Sequence, residues 1–562
     1  MKPQPPVTNM RIAAGTSSVA EAAPQVSPTI GQRVDQMIGR VRQMEWDDWT
    51  PWIIVGLGAF LRFFLLGIKP PHFDEGINGW FVDQMVKNGF YRYDPTNYHG
   101  PLHFYILFLC QTLLGRNVWA IRLPVVLASI FSIHLTMKFE PFVGRNASRI
   151  AALAMAVSPG FVFYGRYSIH EVWLLLFSML FILGVLGLWQ RGTVNYLWCT
   201  GMGLAGMILT KETYIIHLGC AAVAAIVAWL SHKIVKPMDQ PRRVRQTWTY
   251  IDLLVVIGVG LAAIIFFYSG TFLNWPGVAG LWKTFEAWFK TGTQGAGHEK
   301  PWYYFLQMVT RYEAPILVAL VLAALTQWTS NLSLRYLAIY GVGTFIAYSI
   351  VHYKTPWCII SIVWPLLFVF GSLPAFFAEQ YRKTVHYTMG ALLGLSLIMS
   401  ISLNYFRCST FNEFNWKSER GIAENVGLFF TWEPYVYVQT YNDVWKLTRP
   451  LLRLAKANPT YYQLVGHLIR TSTYPLPWML GDFTKVGYYE HNNMPDKVDG
   501  DFLVVQEDKI EEVEKKLTGT YFTEWFTIRP YQDTSKLYFK AQVFSKLFPG
   551  REPEFKGKQP TP

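Results

Sequence analysis

Charge is scarce in this sequence. Asp, Glu, Lys and Arg together make up 15% of its 562 residues, where soluble domains carry roughly 25%, so the chain cannot cover a large water-facing surface with ionised groups. Cysteine is nearly absent too. The five that occur show no CxxC and no Cys/His spacing, which excludes a disulfide framework and a zinc site. The first fifty residues lack the apolar core of a signal peptide, and the run at 51–68 reads as an uncleaved first anchor. No internal repeat and no low-complexity tract is present. The net charge is +13, yet the basic residues form no stripe of the kind a nucleic acid requires, so no nucleic-acid partner is expected.

What the chain has instead is apolar length. Hydrophobic residues are 51% of it and aromatics 16%, in runs close to the roughly 20 residues a bilayer-crossing helix needs. Eleven runs are expected to span: 51–68, 118–137, 148–165, 171–190, 195–210, 213–231, 252–269, 313–328, 335–352, 357–376 and 387–403. Between them the cations are uneven. Residues 232–248 hold Lys233, Lys236, Arg242, Arg243 and Arg245 against one acid, Asp239, and such loops stay in the cytoplasm. Lys138, Arg145 and Arg149 mark a second inner loop, Arg382 and Lys383 a third, and Arg191 and Arg335 vote the same way. These marks agree only if residues 101–115, about 22 Å long as a helix, lie along the outer surface without crossing.

The expected fold is a polytopic α-helical membrane protein with an extracytoplasmic α/β domain. Residues 1–50 form a cytoplasmic tail, 51–403 the transmembrane domain with its first outer loop at 69–117, 404–549 the α/β domain and 550–562 a loose tail. Within 404–549, alternating runs at 435–441 and 501–506 read as strands, 444–457 as an amphipathic helix and 508–517 as a charged helix. The locale expected is the plasma (inner) membrane, with the N-terminus inside.

With that parity, five marked segments share the outer face. In the first, Asp74 and Glu75 follow His72 behind Pro70 and Pro71. Two adjacent carboxylates titrate together and suit proton transfer, but an acidic first turn of a helix over 76–87 explains them equally. His99 opens the turn His99-Gly100-Pro101. Arg166 and His170, four apart, share a helical face beside Glu171; Arg166 either grips a phosphate, pairs with Asp74 or Glu75, or snorkels. Lys211 beside Glu212 is a phosphate contact or a surface ion pair of little worth. Lys354 and Trp357 suit a phosphate beside an isoprenoid chain, or an interfacial anchor. Arg62 and Arg122 lie inside spans, where a cation must face a wet cavity or an anion. The sequons at Asn146 and Asn331 fall on the inner side and are discounted.

The ordered set resembles a known class. His72-Phe73-Asp74-Glu75 is similar to the His-Phe-Asp-Glu loop of protein O-mannosyltransferases, and Arg122-Leu123-Pro124 to the Arg-Leu-Pro that follows it in the wider class with the mannosyltransferase and aminoarabinose-transferase (GT-C) fold. Tyr93-Asp94-Pro95, His99-Gly100-Pro101, Lys354-Thr355-Pro356-Trp357 and Pro477-Trp478 resemble a prokaryotic subfamily labelled flippase-associated. Glu171 stands where the class often has Asp after Arg-x-x-x-x, a departure in side-chain length.

The resemblance implies a membrane glycosyltransferase, hexosyl or mannosyl in type. Its donor would be a sugar on a polyprenyl phosphate and its acceptor a glycan, lipid or protein. Asp74 would take the acceptor proton with Glu75 or His72 orienting it, and Arg166, Lys211 and Lys354 would hold the departing phosphate. Arg62, His99, Arg122, His170, Glu171 and Trp357 complete the expected substrate contacts. No cofactor is expected; the chemistry admits a divalent metal without requiring one. The competing expectation is a non-enzymatic partner of a lipid-linked-glycan flippase, or a translocator, whose polar groups would sit near mid-membrane. A plain anchor for the outer domain accounts for neither Arg62 nor the gathering of motifs on one face.

Overall fold

A computed structural model of the chain describes residues 45–234, 246–294, 298–407, 433–490, 493–529 and 532–557. Lys236, Arg242, Arg243 and Arg245, most of the N-terminal tail, and Cys408 lie outside the described residues. Contacts divide the chain into Met1–Thr50 and Pro51–Pro562; the helix bundle, the cavities and the sheet domain below belong to the second unit.

A helix occupies each of the eleven apolar runs. The first is α1 (Trp46–Phe63). Two short helices follow on the loop: α2 (Phe73–Asn88) and α3 (Leu102–Leu114). Then come α4 (Val118–Met137), α5 (Arg145–Val157), α6 (Pro159–Tyr164), α7 (Glu171–Gln190), α8 (Val194–Thr210) and α9 (Tyr214–Ile234). The bundle closes with α10 (Tyr250–Tyr268), α11 (Pro276–Gln294), α12 (Tyr304–Tyr312), α13 (Ala314–Leu322), α14 (Leu332–Ile350), α15 (Ile359–Gly371) and α16 (Glu379–Ile401). Among the described residues, five helices are by themselves long and apolar enough to cross a membrane, and α12 with α13, bent by 119°, makes a sixth if the pair counts as one. The other apolar runs form helices that are shorter or less apolar. All thirteen residues of α15 are buried; apolar on every side, it is the centre of the bundle rather than a lipid-facing element.

The expected span at 148–165 is broken in two. Pro159 has no N–H and pushes the residue before it out of the helical region, so Ser158 is extended (φ −60°, ψ 131°) and caps α6 through its hydroxyl. The helix α3, thirteen residues long, falls short of a bilayer as the charge pattern required.

The C-terminal domain carries α17 (Val444–Ala457), the amphipathic helix expected, and a six-stranded mixed sheet: β1 (Val465–Ile469), β2 (Lys485–Tyr489), β3 (Phe502–Gln506), β4 (Thr520–Phe526), β5 (Ser535–Lys540) and β6 (Phe555–Lys556), in spatial order β2-β1-β3-β5-β4-β6. β1 pairs with β2 and β3 in parallel; β3–β5, β5–β4 and β4–β6 are antiparallel. Every residue of β3 is buried, which is why 502–506 reads as a continuous apolar run. A short helix, α18 (Leu476–Met479), lies between β1 and β2. Two expectations fail here. Residues 435–441 are not a strand: they run irregularly through the top of the bundle, where Tyr435 donates to Glu313 (2.9 Å) and Tyr167 donates to Gln439 (2.6 Å). The alternating pattern answers contacts with helices instead of a sheet. The segment expected as a loose tail supplies β6, which pairs with β4; residues 558–562 lie outside the described residues.

Candidate active site

The loop between α1 and α2 is organised around Glu75. Its carboxylate is fully buried and accepts four hydrogen bonds: two from Arg122 (Nε to Oε1 2.8 Å, Nη2 to Oε2 2.6 Å), one from the His72 amide (2.8 Å) and one from the Ser168 amide (2.9 Å). Burial alone would raise its pKa, but the Arg122 charge and these donors outweigh it and hold Glu75 below the ordinary value. Arg122 spends its other donors on the carbonyls of Leu66, Lys69 and Pro70. The turn is thus fixed from both sides, and the chain enters α2 through a capping box: His72 Nδ1 accepts from the Asp74 amide (3.1 Å) while Glu75 accepts from the His72 amide. His72 Nε2 meets the Tyr437 carbonyl at 2.5 Å, so the proton sits on Nε2 and Nδ1 is free to accept. Burial lowers the His72 pKa, which keeps that neutral tautomer.

Asp74 takes the opposite position. As the second residue of α2 its side chain is 31% exposed, and it lines a cavity of about 530 Å3 at the end of the bundle. Also on the cavity wall are His99, His170, Glu171, Lys211 and Trp357 from the bundle, and Ser472, Arg529 and Gln532 from the sheet domain. Lys211 and Arg529 are the cationic Lys or Arg side chains of that wall among the described residues. The five segments placed on one face by the charge pattern do meet. The chain between His99 and Arg166 runs through α3, α4, α5 and α6, and its two ends return to the same cavity, where His99 and His170 both stand.

A charged cluster forms the wall facing Asp74. Lys211 pairs with Glu171, and Glu212 accepts from or pairs with His99 (Nδ1–Oε2 3.0 Å). Burial would lower the Lys211 pKa, but Glu171 and Glu212 reverse the sign and hold it well above normal; Lys211 and His99 hold Glu212 below its usual value in spite of burial. Gly100 makes the cluster possible. Its amide donates to the Thr210 carbonyl (3.1 Å), and a Cβ there would stand 2.3 Å from the Leu209 carbonyl carbon, so only glycine lets the turn touch the end of α8. Behind His99 the rings of His170 and His103 follow at 4.5 Å each. His103 Nδ1 accepts from Trp173 Nε1 (3.0 Å), which puts its proton on Nε2, toward Ser168 (3.3 Å); burial holds its pKa down at about 3. His170 is also driven well below normal, by burial first and then by His99, His103 and Lys211. Both are neutral donors or acceptors at ordinary pH. No group of three or more His, Cys, Asp or Glu side chains among the described residues is arranged to hold a metal ion.

Of the residues singled out from sequence, Asp74, His99, His170, Glu171, Lys211 and Trp357 line the cavity. The remaining six do not, and each has a different task. His72 and Glu75 shape the loop. Arg122 has all five N–H groups engaged by Glu75 and the carbonyls of Leu66, Lys69 and Pro70, and it braces the loop. Arg62, completely buried, donates to Ser129 Oγ and to the carbonyls of Gly58, Met155, Ala156 and Phe161; Met155 and Ala156 are carbonyls that the Pro159 break takes out of the helical ladder. Arg166 pairs with neither Asp74 nor Glu75. It caps the end of α1 through the Leu61, Phe64 and Leu65 carbonyls and bonds Tyr405. Lys354 points away from the cavity, to the carbonyls of Lys300 and Val351, and ties the 298–300 strap to the turn that leads to Trp357. Tyr98, His298, Tyr437 and Arg529 line the cavity without having been expected. Tyr98 sits one residue from a motif; the others lie in segments with no motif to mark them.

The comparisons with known proteins agree with this architecture. Residues 98–266 match the family model of dolichyl-phosphate-mannose-protein mannosyltransferases. The fold is similar to that of ArnT from Cupriavidus metallidurans bound to undecaprenyl phosphate: TM-score 0.57 at 14% identity, covering 87% of this chain and 98% of that one. The apo state of the same protein superposes at 0.53, again at 14% identity and with the same coverage. No curated protein matches by sequence. The chain therefore has a GT-C-type membrane fold, as its motifs implied.

Proposed function

We propose that this chain is a membrane glycosyltransferase that moves a sugar from a polyprenyl-phosphate donor to a hydroxyl acceptor on the outer face of the plasma membrane, with its N-terminus inside and its sheet domain outside. The observation that carries this reading is the Asp74 carboxylate, held by a braced helix end yet open to a cavity that also presents Lys211 and Arg529. The match of 98–266 and the fold shared with a protein solved with undecaprenyl phosphate support it. In this mechanism the acceptor oxygen bonds to the anomeric carbon as the bond from that carbon to the phosphate oxygen breaks. Asp74 accepts the acceptor's proton, and the polyprenyl phosphate leaves as an anion that needs no protonation. Negative charge grows on that phosphate, and Arg529 is the cation placed to stabilise it; Lys211, whose charge Glu171 and Glu212 already match, adds hydrogen-bond donors more than net field. His99 and His170, neutral or paired, hold sugar hydroxyls. A hexose of the mannosyl type is the sugar this family match favours. The polar groups gather at one end of the bundle, which disfavours translocation, where they belong near the midplane.

The test is transfer of radiolabelled mannose from polyprenyl-phosphate mannose to cell-envelope acceptors by the purified chain in liposomes. Incorporation that depends on the protein is expected. Correctly folded protein that releases no polyprenyl phosphate, with each of the common hexoses as donor, contradicts the reading.

A further inference from the structure

A second cavity, of about 950 Å3, lies on the other side of α2. Its floor is locked. Arg116 bonds Asp83 (2.8 Å), Asp482 (2.9 Å) and the Trp478 carbonyl (2.9 Å), and Gln111 bridges Asp83 and the Trp478 indole. Trp80, Tyr474 and Tyr488 line the same cavity, the last 38% exposed. We propose that this groove binds a neutral oligosaccharide. Flat rings beside planar hydrogen-bonding groups suit a pyranose, which has an apolar C–H face and a polar rim. A lipid tail is disfavoured by the acids Asp83, Asp482 and Glu490 on the lining. An anionic ligand is disfavoured because Arg116 is already matched by two of those acids, leaving Lys87 at the edge. β2 is the outer strand of the sheet, but it presents Val486 and Tyr488 to the groove, two residues apart and therefore on one face of the strand. The cavity lies over that face, not along the hydrogen-bonding edge that an added peptide strand would use.

The groove adjoins the first cavity. Gly76 and Gly79 let α2 seat directly on the sheet domain: a Cβ on them would come within 2.4 Å of Pro475 and 2.3 Å of Trp478. The two cavities flank this contact. Ser472 lines the first, and Thr473 and Tyr474 the second. Ser472 is in the left-handed region (φ 59°), which turns the chain sharply between them. Phe73, on the first cavity, meets Tyr474, on the second, edge to face at 5.8 Å. A sugar chain held in the groove thus lies beside the short segment, Ser472 to Tyr474, whose first residue lines the cavity that Asp74 also lines. Binding stands on the groove's own geometry; that the bound glycan is the acceptor rests on the transferase reading.

The experiment is an array of neutral and anionic oligosaccharides probed with the labelled full chain in detergent. Neutral hexose oligosaccharides are expected to retain wild type and Asp74→Asn alike. Tyr488→Ala should lose about fivefold or more in apparent affinity, the ratio that roughly 1 kcal/mol represents. Thr484→Trp, which plugs the groove from an exposed rim position, should lose as much, and it carries the test if Tyr488→Ala does not fold. Trp525→Ala, which removes an exposed ring on β4, should change nothing. Retention by anionic glycans only, by none, or by both groove variants as strongly as wild type overturns the proposal, as does competition by unglycosylated peptides. Failure of transfer with glycan binding intact counts against the transferase reading alone; transfer without glycan binding counts against the groove alone.

Discussion

The cavity wall and the braced shell beneath it use the same residue types for opposite ends. Asp74 and Glu75 are neighbours, yet Glu75 is sealed under four hydrogen bonds while Asp74 opens onto the cavity. Arg62, Arg122 and Arg166 are spent on carbonyls and one carboxylate within the fold, whereas Arg529 reaches the cavity from another domain. The difference teaches that ionised groups near a bilayer are retained for two reasons. Backbone carbonyls released by a proline break or a helix end need donors where water is excluded, and arginine supplies five. Only the groups left over from that demand are available to chemistry.

Removing the brace should have the largest effect on stability. Arg122→Met strands the Glu75 carboxylate in a buried site, and a broken buried pair costs about 3–5 kcal/mol. Thermal unfolding of purified protein in detergent should show this as a large drop, partly recovered in the Arg122→Met, Glu75→Gln double variant. A small drop without recovery would erase the distinction between shell and wall.

Gly100→Ala comes next, at about 1–3 kcal/mol for a forced backbone shift. Because the added Cβ meets the end of α8, it should also separate His99 from Glu212 and lower transfer at the wild-type Tm of a stabilised background. Loss of stability with full transfer would place the His99–Glu212 pair in the shell.

The pH dependence is the smallest and most specific of these effects. Glu75 has a lowered pKa in the folded state, so its contribution is complete above the unfolded value of 4.5 and is lost as pH falls below it. The stability gap between wild type and Glu75→Gln should therefore be constant near neutrality and close on acidification below that value. A gap that widens toward acid reverses the sign and contradicts the brace.

Much of this architecture is legible in the residues alone. Apolar length marks most of the long helices, though not the nineteen-residue, charged α11, and the charge of the short loops brings 72–75, 99–101, 166–171, 211–212 and 353–357 to one end, where the cavity is. Function at single positions is less legible, for a physical reason. Whether Arg166 faces a phosphate or the carbonyls of Leu61, Phe64 and Leu65 depends on where α1 ends, and backbone acceptors carry no sequence mark. Lys354 is misleading in the same way. Arg529 is invisible because the sheet domain contributes it through tertiary docking on Gly76 and Gly79. Residues 435–441 alternate as a strand does, but their alternate side chains find helices.

The most direct measurement compares Asp74→Asn with Glu75→Gln, recording both sugar transfer from polyprenyl phosphate and the unfolding midpoint for each. If Asp74 is the reacting carboxylate and Glu75 the brace, Asp74→Asn keeps the wild-type midpoint and loses about 10²–10⁴-fold in transfer, while Glu75→Gln lowers the midpoint. Undiminished transfer by a folded Asp74→Asn protein would contradict the account.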